Sequence, residues 1–526
     1  MAYEARGGET SVRGTTTNAT MDQRAKNDVY DLIKPMLENT GAHGIPNIVR
    51  AENLPRRLVW SLLFLVAFGF FIGLSGNLIR KYYNFDYNVN VEVIFEPTIN
   101  FPAVTVCNMN PYRQSSVVNV SLELTEILGL ESDIPLSKWN SSTNALYGDW
   151  ENLEFSSLDA FTEILKSATQ TVGNMSYEQR FNIGHELDDM LLSCTFHGSP
   201  CAPANFTWFF NYLYGNCYTF NSGVAGLPLR SNEIGPIYGL ALELFIDQEE
   251  YISTLQPSAG IRLLIHDQNE MPFPEDSGST LAPGRATSIG MTKISVHQLG
   301  YPYTTCTDDF RVDNIFRERF PHIIYSVPAC EKNCLFNHIR NECGCADARY
   351  RFNESIPACN IFPAQKNQEK ECFKRATEQY INREIICDCR TPCRKNFYKE
   401  TISEAIWPND QHRPTVLEGI KQLSDHLRDR IENNTQFIDT NVVKVIVYFS
   451  SLEYENFYQT PEYTVYDLIS ALGGQVGLWI GVSVLTVFEF IELLYDIFKY
   501  GCSKLTKLGK RTVFAEDTIE MGPSRT

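Results

Sequence analysis

The sequence predicts an α+β membrane protein in which two transmembrane helices flank a large, disulfide-rich extracellular domain. Two apolar stretches and the placement of the cysteines predict it. Residues 58–79 (LVWSLLFLVAFGFFIGLSGNLI) carry no charge. At ~1.5 Å per residue they are long enough to cross a hydrocarbon core ~30 Å thick. Residues 464–494 form a second apolar stretch. Fourteen of the fifteen cysteines lie between the two, and only Cys502 lies outside. Such density belongs to an oxidising compartment, where fourteen cysteines can pair completely.

Orientation follows from the flanking charge. Arg50, Arg56 and Arg57 precede the first span, and Lys499, Lys504, Lys507, Lys510 and Arg511 follow the second. That is the positive-inside pattern; Arg80 and Lys81 oppose it, but long translocated domains weigh little in the rule. The expected boundaries are a cytosolic N-terminus (1–57), a first transmembrane helix (58–79), an extracellular domain (80–463), a second helix (464–494) and a cytosolic C-terminus (495–526). The chain is then a multi-pass plasma-membrane protein with both termini cytosolic. With 57 residues before the first span, an uncleaved anchor is favoured over a signal peptide. Sequons at Asn119, Asn140, Asn174, Asn205, Asn353 and Asn433 fall in the extracellular part and are candidate glycosylation sites. Cys502, beside the inner leaflet, is a palmitoylation candidate or a free thiol.

The bulk properties exclude several classes. The 526 residues exceed one ordinary core. An apolar fraction of 43% rules out a mainly disordered chain. A net charge of −18 argues against nucleic acid. No nucleophile–base set, phosphate-cradling loop or metal-ligand pattern is present, so neither an enzyme nor a cofactor is expected.

In chain order, residues 1–28 read as a polar tail, followed by an amphipathic turn at 29–37 and a Gly-x-His-Gly turn at 41–44. Tyr82–Val93 and Phe101–Asn108 read as strands. Residues 115–215 read as helical, with apolar spacing at Ser157–Ser167 and Tyr177–Leu192. Strands are expected at Tyr238–Ile246, Ile261–His266, Thr287–Gln298 and Val442–Phe449, with a loop at Met271–Gly284 and a helix over 414–433. Cys330 and Cys334 lie one turn apart, on one face of a helix. Disulfides are favoured over zinc for this block because finger spacing is missing.

The second apolar stretch is unusual. A continuous helix from Thr464 to Leu494 would run roughly 46 Å, so it must tilt, break or project. It carries Gly473, Gly474, Gly477, Gly481 and Ser483, then Glu489 and Glu492. Irregular backbone at membrane depth persists only when packed in protein or lining water. Two readings stand: a pore-lining helix for cations, or a glycine-rich helix that packs on a neighbour.

Taken together, His43-Gly44, Phe101-Pro-Ala-Val-Thr-Val-Cys-Asn108, the cysteine block and Gly473-Gly-Gln-Val-Gly-Leu-Trp-Ile-Gly-Val-Ser483 resemble the degenerin/epithelial sodium channel family over about residues 29–498. The resemblance implies a homotrimer, or a heteromer, with a central pore for Na⁺. It implies the pairs Cys107–Cys217, Cys194–Cys201, Cys306–Cys393, Cys330–Cys389, Cys334–Cys387, Cys343–Cys372 and Cys345–Cys359. It implies a filter at Gly481, Val482 and Ser483, and gating or pore positions at His43, Gly44, Ser470, Ala471, Gly474, Gln475 and Glu489. Coupling between ectodomain and first span falls to Tyr303, Tyr82, Tyr83 and Tyr87.

Departures narrow the resemblance. Residues 82–89 hold no histidine, unlike the acid-sensing relatives; the remaining extracellular histidines are scattered. Ala471 stands where those relatives have an acid, and no Arg-x-Lys/Arg-Arg cleavage site is present. The chain looks closest to neuropeptide-gated members of the FMRFamide type. Asp149, Trp150, Glu151 and Phe155 offer a carboxylate for arginine and an apolar slot for phenylalanine, or simply a helix face and cap. Rival readings are a proton-gated, mechanically gated or constitutive channel and, outside the class, a two-span adhesion receptor.

Overall fold

A computed structural model describes residues 33–130, 156–224, 226–310, 314–318, 320–352, 354–362, 367–423, 428, 430–431 and 436–516. The chain divides into two compact units, one of Met1–Asn88 with Pro461–Thr526 and one of Val89–Thr460.

In the first unit the helix Leu54–Tyr83 runs 30 residues, four longer at each end than the predicted span. It begins with a proline in its first turn, where a missing N–H costs nothing. Its last turn carries Arg80 and Lys81 against the carbonyl end of the dipole. Tyr82 and Tyr83 were expected on a strand; they close this helix instead, because no Gly or Pro interrupts the ladder before Asn84. The strand starts later, at Tyr87–Phe95. Among the described residues Leu54–Tyr83 is the one helix long and apolar enough to cross a membrane. The helices Val465–Ile480 and Val484–Ser503 meet that test as a pair bent by 75°. Of the three outcomes open to 464–494, the structure takes the break. The helix after the break continues to Glu516, beyond the expected end at 494.

The second unit is built on two sheets. Arg285–His297 is its longest central strand. Arg394–Ile406 pairs antiparallel along its whole length. Its other side takes Val442–Phe449 in parallel at the start and Glu453–Pro461 in parallel at the end. Leu240–Phe245 and Leu191–Phe196 extend this sheet. The smaller sheet holds Ser279–Leu281, Ile261–His266, Ala103–Asn108, Gly215–Phe220 and Phe206–Asn211. Alternate residues of both sheets share one core: Val104, Val106, Ile261 and Leu263 from one, Leu240, Leu242, Ile289, Met291, Val445 and Val447 from the other. That alternation is the period of two read from the sequence. Strands begin at Leu191, earlier than expected, since the run 191–211 is half-buried and pairs in both sheets. The predicted 271–284 loop holds one short strand, Ser279–Leu281. The helix expected over 414–433 is Arg413–Leu423, and residues 424–427 lie outside the described set.

Seven disulfides staple this unit. Cys107–Cys217 ties two paired strands at opposed positions, and Cys194–Cys201 closes a hairpin. Cys306–Cys393, Cys330–Cys389, Cys334–Cys387, Cys343–Cys372 and Cys345–Cys359 nest inward, with sequence separations of 87, 59, 53, 29 and 14. Two of them ladder down the helix Val327–Cys343, and Cys343–Cys372 joins it to Gln368–Ile381. Closing loops of this size restricts the unfolded chain by about 3–5 kcal/mol each.

Two histidines are core residues. Nε2 of His185 lies 3.0 Å from the Asn110 amide nitrogen, an acceptor position. His266 donates through Nδ1 to the Asp267 carbonyl (2.9 Å) and meets the Thr105 hydroxyl through Nε2 (2.8 Å). Burial lowers His185 to about 3 and His266 to about 4. The unfolded chain takes up these protons near pH ~6.5. Their contribution to stability is therefore complete above that pH and is lost as pH falls toward the folded values. Burial raises the carboxyls of Asp267 and Glu270, which opposes that trend. Replacing His185 isolates its share. The gap between thermal midpoints of the solubilised chain at about pH 7.5 and about pH 5 should shrink in His185→Gln. An unchanged gap refutes the assignment.

Candidate functional site: the broken helix and the His-Gly loop

The break is assembled entirely within the first unit. Thr464 caps the helix Val465–Gln475, accepting from the Asp467 N–H (3.2 Å), while the Asp467 carboxylate accepts from the Thr464 N–H (2.9 Å). Ser470, Gly474 and Gly477 follow at spacings of four and three, so they share one helix face. All are exposed in this chain, and a side chain at Gly473, Gly474 or Gly477 would meet nothing within 4 Å. Ala471 and Gln475 sit one step round, half-buried. Lys81, at the end of the first span, pairs with Glu462 (2.7 Å) and lies over the Tyr463 ring (5.1 Å), tying the starts of the two elements together. Tyr82, Tyr83 and Phe85 form an aromatic knot at the same end.

From Val476 to Ile480 the helix widens to a π turn, a form frequent at functional sites. Trp479 donates to the Gln475 side chain (2.9 Å) and stacks on Phe70 of the first span, with ring centroids 5.1 Å apart and 14° between planes. Gly481 then adopts φ +71°, left-handed and hostile to any residue with a Cβ. Gly481, Val482 and Ser483 lie between two helices, so the carbonyls of Gly481 and Val482 leave the helical register. Ser483 restarts the helix: its hydroxyl accepts from the Thr486 N–H, and its own N–H donates to the Thr486 hydroxyl, each at 3.2 Å.

The N-terminal segment is seated on this break. The His43 N–H donates to the Ile480 carbonyl at 2.6 Å. A Cβ on Gly481 would fall on the His43 imidazole, so glycine is required there twice over. Gly41 packs so closely on Thr486 that a Cβ would lie 2.9 Å from its hydroxyl. The Thr40 hydroxyl donates to the Glu489 carboxylate (3.2 Å). Gly44 turns the chain at φ +88° and packs beside Phe64 of the first span. A cavity of about 350 Å³ opens beside these contacts, lined by Asn39, Thr40, Glu489, Glu492 and Asp496. The arrangement provides a backbone contact from the N-terminal segment, a glycine break and a carboxylate-lined cavity. A cation is the ion such a surface attracts.

Of the residues singled out in the sequence, His43, Gly44, Gly481 and Glu489 come together here. Ser470, Ala471, Gly474 and Gln475 lie on the preceding helix, and Tyr303 lies in a turn of the other unit, bonded back to Gly300. Gly41 and Trp479 stood in motifs read from the sequence without an assigned role, and Thr40, Thr486 and Phe70 were missed. The Ser483-x-x-Thr486 spacing is a capping signal that could have found Thr486; nothing local marks the Phe70 partner. Asn119, Asn174 and Asn205 are exposed. Asn140, Asn353, Asn433 and the ligand candidates Asp149, Trp150, Glu151 and Phe155 lie outside the described residues. Cys502 is exposed on the helix Val484–Glu516, outside the seven disulfides.

Residues 36–493 match the amiloride-sensitive sodium channel family. Epithelial sodium channel subunit alpha of Neoceratodus forsteri is 30% identical over 544 residues, covering 90% of this chain and 81% of that protein. Subunit beta of Bos taurus is 28% identical, covering 90% and 83%. Subunit gamma of Pelodiscus sinensis is 28% identical, covering 89% and 80%. The match takes in both the broken helix and the disulfide-stapled unit, and this chain belongs to the amiloride-sensitive sodium channel family: it is an ion channel protein for Na⁺, needs no cofactor and is not an enzyme.

Proposed function

We propose that the chain is a pore-forming subunit of a trimeric, Na⁺-selective, amiloride-sensitive channel of the plasma membrane, opened by an extracellular amidated peptide of the FMRFamide type. The observation that carries the pore is the break at Gly481–Ser483 with the His43 loop seated on it. In this reading Leu54–Tyr83 is the first span, the bent pair is the second, and both termini are cytosolic. Three copies bring the open face of Ser470, Gly474 and Gly477 toward a shared axis. Small residues leave room for water, and three sets of Gly481–Ser483 backbone dipoles replace part of the hydration shell of Na⁺. His43 and Thr40 brace the break from the cytosolic side. Glu489 concentrates cations at the inner mouth, where a carboxylate is tolerated only facing water.

Peptide gating draws its support from what the ectodomain offers. Five nested disulfides give a stiff lever, and the region 82–89 offers no histidine to titrate. His185 and His266 are held neutral by burial, so neither responds to acid near neutral pH. The second reading is a channel open without ligand; the kinship to epithelial sodium channel subunits favours it over acid or force. Voltage-clamp recording from cells expressing this chain alone separates them. Peptide-evoked Na⁺ current blocked by amiloride supports the first. Amiloride-sensitive current before any peptide supports the second. Current to acid alone defeats both.

Ser470→Trp places bulk on the face that must close, so it should give a constitutive, amiloride-blocked Na⁺ current. A silent variant present at the cell surface counts against the pore assignment. Gly481→Ala adds a methyl group in the left-handed region, a cost of about 1–2 kcal/mol, and drives it into His43. It should reach the surface yet lose most of its current or its preference for Na⁺ over K⁺. Normal selectivity in this variant would place the filter elsewhere.

A further inference from the structure

The second unit holds a recess apart from the broken helix. Its volume is about 530 Å³, and Ser176, Tyr177, Glu178, Phe181, Trp208 and Glu354 line it. That volume falls in the range of small-ligand sites. Trp208 on the strand Phe206–Asn211 forms the wall. Tyr177 and Phe181, one turn apart on Tyr177–Ile183, meet it edge-on at 4.4 and 4.9 Å. The wall is held in place: Trp208 Nε1 donates to the Asn216 side chain (3.0 Å), which itself donates to the Phe181 carbonyl (2.9 Å). Glu354 is also anchored. One carboxylate oxygen accepts from the Tyr177 N–H (2.7 Å), and its backbone carbonyl accepts from Arg351 (2.7 Å). Glu178 is exposed at the rim.

Two buried arginines, Arg180 and Arg351, interact with Glu354 and weaken its field. Arg180 donates to the carbonyls of Val172, Gly173 and Arg351, and Arg351 to those of Gly173, Glu354 and Ile356. With charge partly offset, the aromatic surface decides what binds. A compact, strongly hydrated cation gains little from it. A planar, weakly hydrated guanidinium stacks on indole and still reaches a carboxylate edge.

We infer that this recess is a recognition site for a guanidinium group carried by an extracellular ligand. The inference rests on the reading that the ectodomain answers to such a ligand, and it names the group recognised.

The test uses the full chain purified in detergent and N-acetylarginine amide as probe, followed by saturation-transfer NMR. The isosteric, uncharged N-acetylcitrulline amide is the control. Wild type should bind the arginine probe saturably and the citrulline probe at least about tenfold more weakly, a difference of about 1.4 kcal/mol. Glu354→Gln keeps an oxygen to accept from the Tyr177 N–H while removing the charge, and Glu178→Gln changes only the rim. The double variant should bind about tenfold more weakly, and Trp208→Leu should abolish saturation. Equal binding of the two probes, or variants that bind like wild type, overturns the site. Currents evoked by arginine-containing peptides are recorded from the same variants. A peptide current with unchanged half-maximal concentration in all of them overturns the site and leaves peptide gating standing. Binding lost in the variants of a channel that no such peptide opens keeps the site and removes the gating reading.

Discussion

The first unit depends on one backbone event: Gly481 turns left-handed and ends a helix partway along an apolar stretch. Unpaired backbone groups are costly wherever water is excluded, so the break persists only because other groups take over. The His43 N–H donates to the Ile480 carbonyl, and the Thr486 hydroxyl accepts from the Ser483 N–H just before the next helix. Removal of a Cβ at Gly481 is what lets the imidazole approach. The widened turn at Val476–Ile480 leads into the break, and the Trp479–Phe70 stack ties that side of it to the helix Leu54–Tyr83. The stretch becomes a pair of helices bent by 75°.

The extracellular unit solves a different problem. Its core is a face-to-face pair of sheets with alternate Val, Ile and Leu buried completely. The cysteine-rich helices hang from it with a smaller core of their own around Ile339, Cys345, Cys359 and Ala376. A cluster that small cannot fix two helices by burial alone, and covalent bridges supply the missing rigidity. The same unit keeps His185 and His266 neutral in the core and commits two arginines to carbonyl caps at the end of Ser156–Asn174.

Several elements were legible in the chain. Ile261–His266 and Val442–Phe449 were read with the bounds they adopt, because β-branched runs bounded by turns have few alternatives. The apolar first span was legible for the same reason of composition, although its ends were placed four residues short. Local rules see no cost in extending a helix through Arg80 and Tyr83. The strands of 191–211 were missed because short half-buried runs look helical until their partners are known. The glycines of 473–481 announced an irregular helix, but a glycine permits a break without requiring one.

By itself the sequence determined composition-driven features: an apolar span, a fourteen-cysteine extracellular block, an acidic chain, and a glycine-rich second stretch with His43-Gly44 far away in sequence. Each follows from side-chain chemistry or spacing within a few residues. Tertiary structure alone decided where the second stretch breaks, that Thr40, Gly41 and His43 are what seat it, and that Phe70 faces Trp479. These are contacts between residues some 400 positions apart. They depend on which backbone groups are left unpaired once the helices form, and no local preference encodes that.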